Sequence, residues 1–116
     1  MSDKITWELV MQFCNELKRF LDASDRCLIG VYAPPRGGLC LGVIMSHKLG
    51  IPLLAAPCDG CLIIDDIADS GETLQHAVNA YDCFVATLAY NRECSFEPDF
   101  WKIEKTGKWI EFPWEG

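Results

Sequence analysis

An apolar run that stops at a pair of carboxylates constrains this chain more than any other feature. Residues 61–64, Cys-Leu-Ile-Ile, are continuously apolar between turn signals, the pattern of a strand buried on both faces. Asp65 and Asp66 follow at once, then Asp69-Ser70-Gly71-Glu72-Thr73 leads into a helical segment. Open α/β sheets bind their ligands where strands leave the sheet, and both carboxylates fall there. Ser70, Gly71 and Thr73 offer hydroxyls and backbone N–H groups at a helix N-terminus, a natural anion site. Carboxylates beside an anion cradle describe a pocket for a polyol that carries a phosphate.

The flanking segments supply a matching frame. Thr6 reads as an N-cap, with Glu8 in the first turn. Trp7, Val10, Cys14, Leu17 and Leu21 recur at helical spacing, with Met11 widening the stripe, so a helix is expected over residues 7–22. Strands are expected over 28–33, 51–56, 61–64 and 83–90, and helices over 39–49 and 73–80. Gly50 stands where glycine ends a helix. This alternation predicts an α/β fold with a largely parallel sheet. Residues 100–104 and 108–112, joined by Lys105-Thr106-Gly107, read as a terminal hairpin.

A second anion-binding arrangement lies upstream. The breaker-rich loop Pro34-Pro35-Arg36-Gly37-Gly38 joins an expected strand to an expected helix. Glycines without Cβ atoms let the backbone approach a ligand, and arginine can pair a phosphate bidentately. The loop has neither Walker A nor G-x-G-x-x-G spacing. The C-terminal run Trp109-Ile110-Glu111-Phe112-Pro113-Trp114 offers aromatic faces on which a planar base can stack. Trp109 is assigned to the site, and Phe112 and Trp114 to a small core.

Composition narrows the class. The chain has 116 residues, half of them hydrophobic, which fits a single globular domain, 1–116. A net charge of −7 argues against a nucleic-acid or acidic-membrane binder. No apolar run reaches the roughly 18 residues of a membrane span, and the start does not read as a secretion signal, so a cytoplasmic location is expected. Seven scattered cysteines suit reduced, mostly buried thiols. Cys58-x-x-Cys61 lacks the second ligand pair a structural zinc site requires. His47 and His76 fall in expected helices and receive no role.

The segment 61–74 resembles the phosphoribosyl-diphosphate (PRPP) signature of the type I phosphoribosyltransferases. The likeness implies that Asp65 and Asp66 hold the ribose hydroxyls and Mg²⁺, and that Asp69, Ser70, Gly71, Glu72 and Thr73 wrap the 5-phosphate. It gives the pyrophosphate to Arg36, Gly37 and Gly38. The ending Trp109-Ile110-x-x-Pro113-Trp114-Glu115 is similar to that of the xanthine–guanine and related purine members. It implies that Trp109 stacks on the base while Ile110 touches its edge. Asp69 becomes the general acid/base near the purine N7. The implied fold is an open, mostly parallel sheet flanked by helices, with a small hood from the N-terminal helix and C-terminal hairpin. The implied reaction is transfer of ribose 5-phosphate from PRPP to a purine base in nucleotide salvage, by a Mg²⁺-dependent homodimer.

The chain departs from that pattern twice. The family carries a long flexible loop between its second and third core strands, whereas only a few residues around 57–60 stand here. Its purine members also place a lysine after the fourth strand to bind the 6-oxo group. Tyr90 occupies that position here and is assigned to the base, with Arg92 as a substitute. A lidless PRPP- or nucleotide-binding module of the same fold is the alternative. A phosphoacceptor receiver domain would want an aspartate where the first strand ends in Ala33-Pro34-Pro35.

Overall fold

The computed structural model describes residues 2–69, 71–105 and 109–115. Helix α1 (Trp7–Ala23) starts at Thr6, whose side chain accepts the Leu9 N–H at 3.1 Å. Its buried stripe is Val10, Phe13, Cys14, Leu17 and Leu21. Phe13 thus joins the core, whereas Trp7 and Met11 face outward. Helix α2 (Leu39–Leu49) ends at Gly50, in the left-handed region at φ 66°.

The main sheet has five strands, β2 (Gly30–Tyr32), β3 (Leu53–Leu54), β4 (Cys61–Ala68), β5 (Phe84–Tyr90) and β6 (Phe100–Glu104). Their spatial order is β3-β2-β4-β5-β6, and every pairing is parallel. Helices α1 and α2 cover one face, burying Leu62, Ile64, Ala86 and Leu88. Helix α3 (Glu72–Ala80) lies on the other, over Ile63 and Val85. With both faces covered, β5 is buried at all seven positions.

The expected terminal hairpin does not form. Strand β6 pairs with β5, Ala86 opposite Phe100, because residues 91–99 return the chain to the same end of the sheet. The Asp99 carboxylate accepts the Val85 N–H at 2.8 Å and fixes that return. Strand β7 (Trp109–Glu111) instead pairs in parallel with β1 (Ser2–Lys4), forming a separate two-stranded sheet. Of the expected turn Lys105-Thr106-Gly107, Thr106 and Gly107 lie outside the described residues. The hood is therefore built from the two chain ends. Ile110, Phe112 and Trp114 carry its contacts to the α1 side of the core.

Strand β4 is twice as long as its apolar run suggested. It pairs with β2 only through Cys61, Leu62 and Ile63, but with β5 as far as Ala68. The half of β4 that carries the acids therefore passes beyond the end of β2 and borders the loop that follows it.

Candidate active site

From β2 the chain crosses through α2 to β3 on one side, while β4 lies on the other. That reversal opens a crevice at the carboxyl ends of β2 and β4, where doubly wound sheets hold ligands. The loop 34–38 forms one wall and Asp65 and Asp66 the other. Contact between them is close enough to dictate glycine. A Cβ on Gly38 would lie 2.8 Å from the Ile64 carbonyl oxygen and 3.1 Å from Asp65 Oδ1, and one on Gly37 would run into the Asp66 carboxylate. The Gly38 N–H donates to the Pro34 carbonyl at 3.1 Å, closing the loop on itself. No side chain caps α2, so its first N–H groups face the loop. The Pro35–Arg36 peptide is cis, and the Arg36 side chain is exposed. Arg36 and Gly37 line a cavity of about 730 Å³ with Leu39, Cys40, Trp114 and Glu115.

The acidic pair is locally braced. Asp65 Oδ1 accepts the Asp66 N–H, and Asp66 Oδ1 accepts the Ile67 N–H, each at 2.8 Å. Burial, reinforced by the neighbouring Asp66 charge, pushes the Asp65 carboxyl up to about 8. The Asp65 carboxyl therefore favours its protonated form at neutral pH.

Asp69 has the opposite character. Its carboxylate accepts from Asn91 Nδ2 at 2.8 Å and from Lys105 Nζ at 3.2 Å. The Asn91 bond is the larger influence holding it below the usual carboxylate range, partial burial opposes this, and Lys105 adds to it. Beyond Asp69, Gly71 stands at φ 80° as the N-cap of α3, and no side chain caps that helix. A Cβ on Gly71 would meet Phe96 at 3.0 Å, so glycine is required by space as well as by dihedral. The N-cap of α3 thus stands two residues after Asp69; Ser70 lies outside the described residues.

A smaller cavity of about 160 Å³ lies between the acids and the hood, lined by Asp66, Ile67, Asp69, Lys105, Trp109, Ile110, Phe112 and Glu115. Trp109 is 67 % exposed and offers a free face, whereas Ile110 is buried. Trp114 stacks on Phe112 at 5.1 Å and meets Trp7 edge-on at 6.0 Å, so both play the core role expected of them.

Tyr90, expected at the base, stands away from the hood. It is buried on the α3 face against Trp101, with ring centroids 5.2 Å apart, and is not among the residues lining this cavity. Arg92 does not replace it, because its Nε donates to Glu104 at 2.5 Å and its guanidinium lies over Trp101. Among the described residues, the cation that lines the cavity is Lys105, beyond the end of β6. Only its position four residues before Trp109 could have flagged it. Asn91 was missed as well; it follows β5 directly and its N–H donates to Ala68 at 2.9 Å.

A five-stranded parallel sheet with an Arg-Gly-Gly loop packed on an acidic pair, under an aromatic hood, is a type I phosphoribosyltransferase-like fold. Comparisons with known proteins find the chain similar to purine members of the type I phosphoribosyltransferases. It is 27 % identical to the xanthine–guanine phosphoribosyltransferase of Vibrio vulnificus strain YJ016 over 141 residues, covering 99 % of this chain and 91 % of that protein. It is 26 % identical to the xanthine–guanine phosphoribosyltransferase of Vibrio parahaemolyticus over 135 residues, covering 96 % and 87 %. The purine phosphoribosyltransferase of Pyrococcus horikoshii superposes with a TM-score of 0.85 at 29 % identity, covering 99 % of this chain and 94 % of that one. The xanthine–guanine–hypoxanthine enzyme of Helicobacter pylori has the same fold, with a TM-score of 0.83 at 17 % identity. No family model matches the chain.

Proposed function

We propose that this protein is a purine phosphoribosyltransferase, moving ribose 5-phosphate from PRPP to a base nitrogen with release of pyrophosphate. The observation that carries the reading is the packing of Gly37 and Gly38 against Asp66 and Asp65, which joins two distant motifs into one crevice. In this reading Arg36 and the Gly37 and Gly38 amides hold the pyrophosphate. Asp65 and Asp66 take the ribose hydroxyls, and residues 69–73 take the 5-phosphate. As charge builds on the departing pyrophosphate, the Arg36 guanidinium stabilises it. Trp109 stacks on the base and the Ile110 backbone meets its edge.

Mg²⁺ fits this donor set. Among the described residues no cluster of three or more His, Cys, Asp or Glu side chains could hold a metal. One or two carboxylates are what Mg²⁺ uses when substrate phosphates supply its other ligands. Asp65 and Asp66 would hold it, and it would offset charge on the leaving group.

Lys105 and Asp69 set the base preference. A lysine donor beside a carboxylate acceptor matches a base edge that presents a carbonyl next to a ring N–H. A 6-oxopurine offers that order, whereas an exocyclic amino group would put a donor against the ammonium. The lysine role that Tyr90 cannot fill thus passes to Lys105. Asp69, kept ionised by Asn91 and Lys105, is placed to take the base proton.

The described residues contain no helix long and apolar enough to cross a membrane, and we assign the protein to the cytoplasm. A homodimer accounts for the apolar cleft of about 410 Å³ lined by Trp7, Leu39, Cys40, Val43 and Ile44. Light scattering at micromolar concentration should give twice the chain mass, and a clean monomer would remove that element.

The test is pyrophosphate release from PRPP and Mg²⁺ with and without purine bases, beside Asp69→Asn. Release that rises with base and falls about 100-fold or more in the variant is expected. PRPP binding with no pyrophosphate release, with or without base, would favour a non-catalytic binding module.

A further inference from the structure

The crevice has one side open, and the chain itself explains why. Residues 55–60 are all that joins β3 to β4. Leu54 is level with Tyr32 and Tyr32 with Ile63, so this link must cross two strand spacings, about 10 Å. It must also descend to Cys61, below the level where it began. Its second half is tied down at the amino ends of the strands, away from the crevice. Gly60 N–H donates to Asp82 O at 2.7 Å, Ile29 N–H to Gly60 O at 2.9 Å, and Asp82 N–H to Asp59 Oδ1 at 2.8 Å. Six residues fully extended reach only about 20 Å, and with the second half tied down the rest are taken up in crossing to β4, which leaves too few for a lid over the carboxyl ends. The 141-residue alignment with the Vibrio vulnificus protein leaves at least 25 positions with no counterpart in these 116 residues. The other borders are also open to solvent: Pro35 and Arg36 are exposed, and the Asp69 side chain keeps 49 % of its surface.

We infer that this site uses water as a second acceptor and hydrolyses PRPP to ribose 5-phosphate and pyrophosphate. The inference rests on the PRPP-binding reading above. A sugar carbon with oxocarbenium character is captured by whatever nucleophile reaches it, and closed sites protect it by excluding water. In the water reaction the bond between C1 and the pyrophosphate oxygen breaks, its electron pair leaving on pyrophosphate. The water oxygen bonds to C1, and its proton passes to the Asp69 carboxylate and then to solvent. Asp69 stands ready for this because Asn91 and Lys105 hold it in its ionised form whether or not a base is bound.

The experiment incubates the full-length protein with PRPP and Mg²⁺ in the absence of base and quantifies ribose 5-phosphate and pyrophosphate. A parallel sample contains methanol as a probe nucleophile. Expected are equal amounts of the two products, at a rate within roughly tenfold of the base-dependent rate. Methyl riboside 5-phosphate should form with methanol, and both reactions should fall together in Asp69→Asn. Base-dependent nucleotide formation with no base-free ribose 5-phosphate would overturn the inference and leave the transferase reading intact. Ribose 1,5-bisphosphate as the base-free product would mean cleavage at phosphorus and would also overturn it. No turnover of PRPP under any condition would instead bring down the reading beneath it.

Discussion

Asp65 and Asp69 are carboxylates four positions apart with opposite electrostatic fates. Asp65 is buried beside a like charge and sits at about 8, whereas Asp69 is half-exposed beside Asn91 and Lys105 and is held low. The consequence for stability has a definite sign. Between the unfolded carboxyl value near 4 and about 8, the native state keeps a proton that the unfolded chain has lost. The contribution of Asp65 is therefore full below about pH 4 and is lost as pH rises through about 8. Melting temperature of the ligand-free protein should show this fall, and Asp65→Asn should flatten it. An unchanged slope in the variant would contradict the assignment. Lys105 yields a second prediction: Lys105→Met should cut kcat/KM for oxo-bases about 10- to 100-fold, leaving the KM for PRPP unchanged. Equal losses with adenine would remove it as the reader of the base. Its role was not legible in the chain because sequence reasoning placed residue 105 in a hairpin turn. The parallel return of β6 is what carries it to Asp69.

Among the elements, the loop 34–38 shows most clearly how local sequence becomes a site. Its two glycines could be read as permissive, but not as obligatory. The obligation comes from β4, whose second half passes the end of β2 and presses Asp65 and Asp66 against the loop. Gly38→Ala should cost about 1–3 kcal/mol and weaken PRPP binding, since the loop must back away from Ile64 and Asp65. Calorimetric titration with PRPP, alongside thermal melts, checks both. Wild-type affinity would mean that the loop is not the pyrophosphate cradle. The amphipathic stripe of α1, the glycine stop of α2 and the apolar run of β4 were all legible, because each is a local pattern. The pairing of β7 was not, because its partner is the other end of the chain. A turn signal such as Lys-Thr-Gly says that the chain bends and not which edge it then joins.

At the scale of the whole molecule, the fold brings together what the sequence keeps apart. The loop at 34–38, the acids at 65–69, Lys105 and the hood at 109–115 meet around one crevice because the sheet reverses its order between β2 and β4. The short link 55–60 leaves that crevice open, a consequence of length and register that could be read from the sequence only as a missing segment. A purine phosphoribosyltransferase is recognised by the nucleotide it makes. The protein is incubated with PRPP, Mg²⁺ and each of guanine, xanthine, hypoxanthine and adenine, and nucleotides are resolved by chromatography. Nucleoside 5′-monophosphates of the oxo-bases, in clear excess over the adenine product, are predicted. Absence of any nucleotide, in a preparation that demonstrably binds PRPP, would rule out a purine phosphoribosyltransferase.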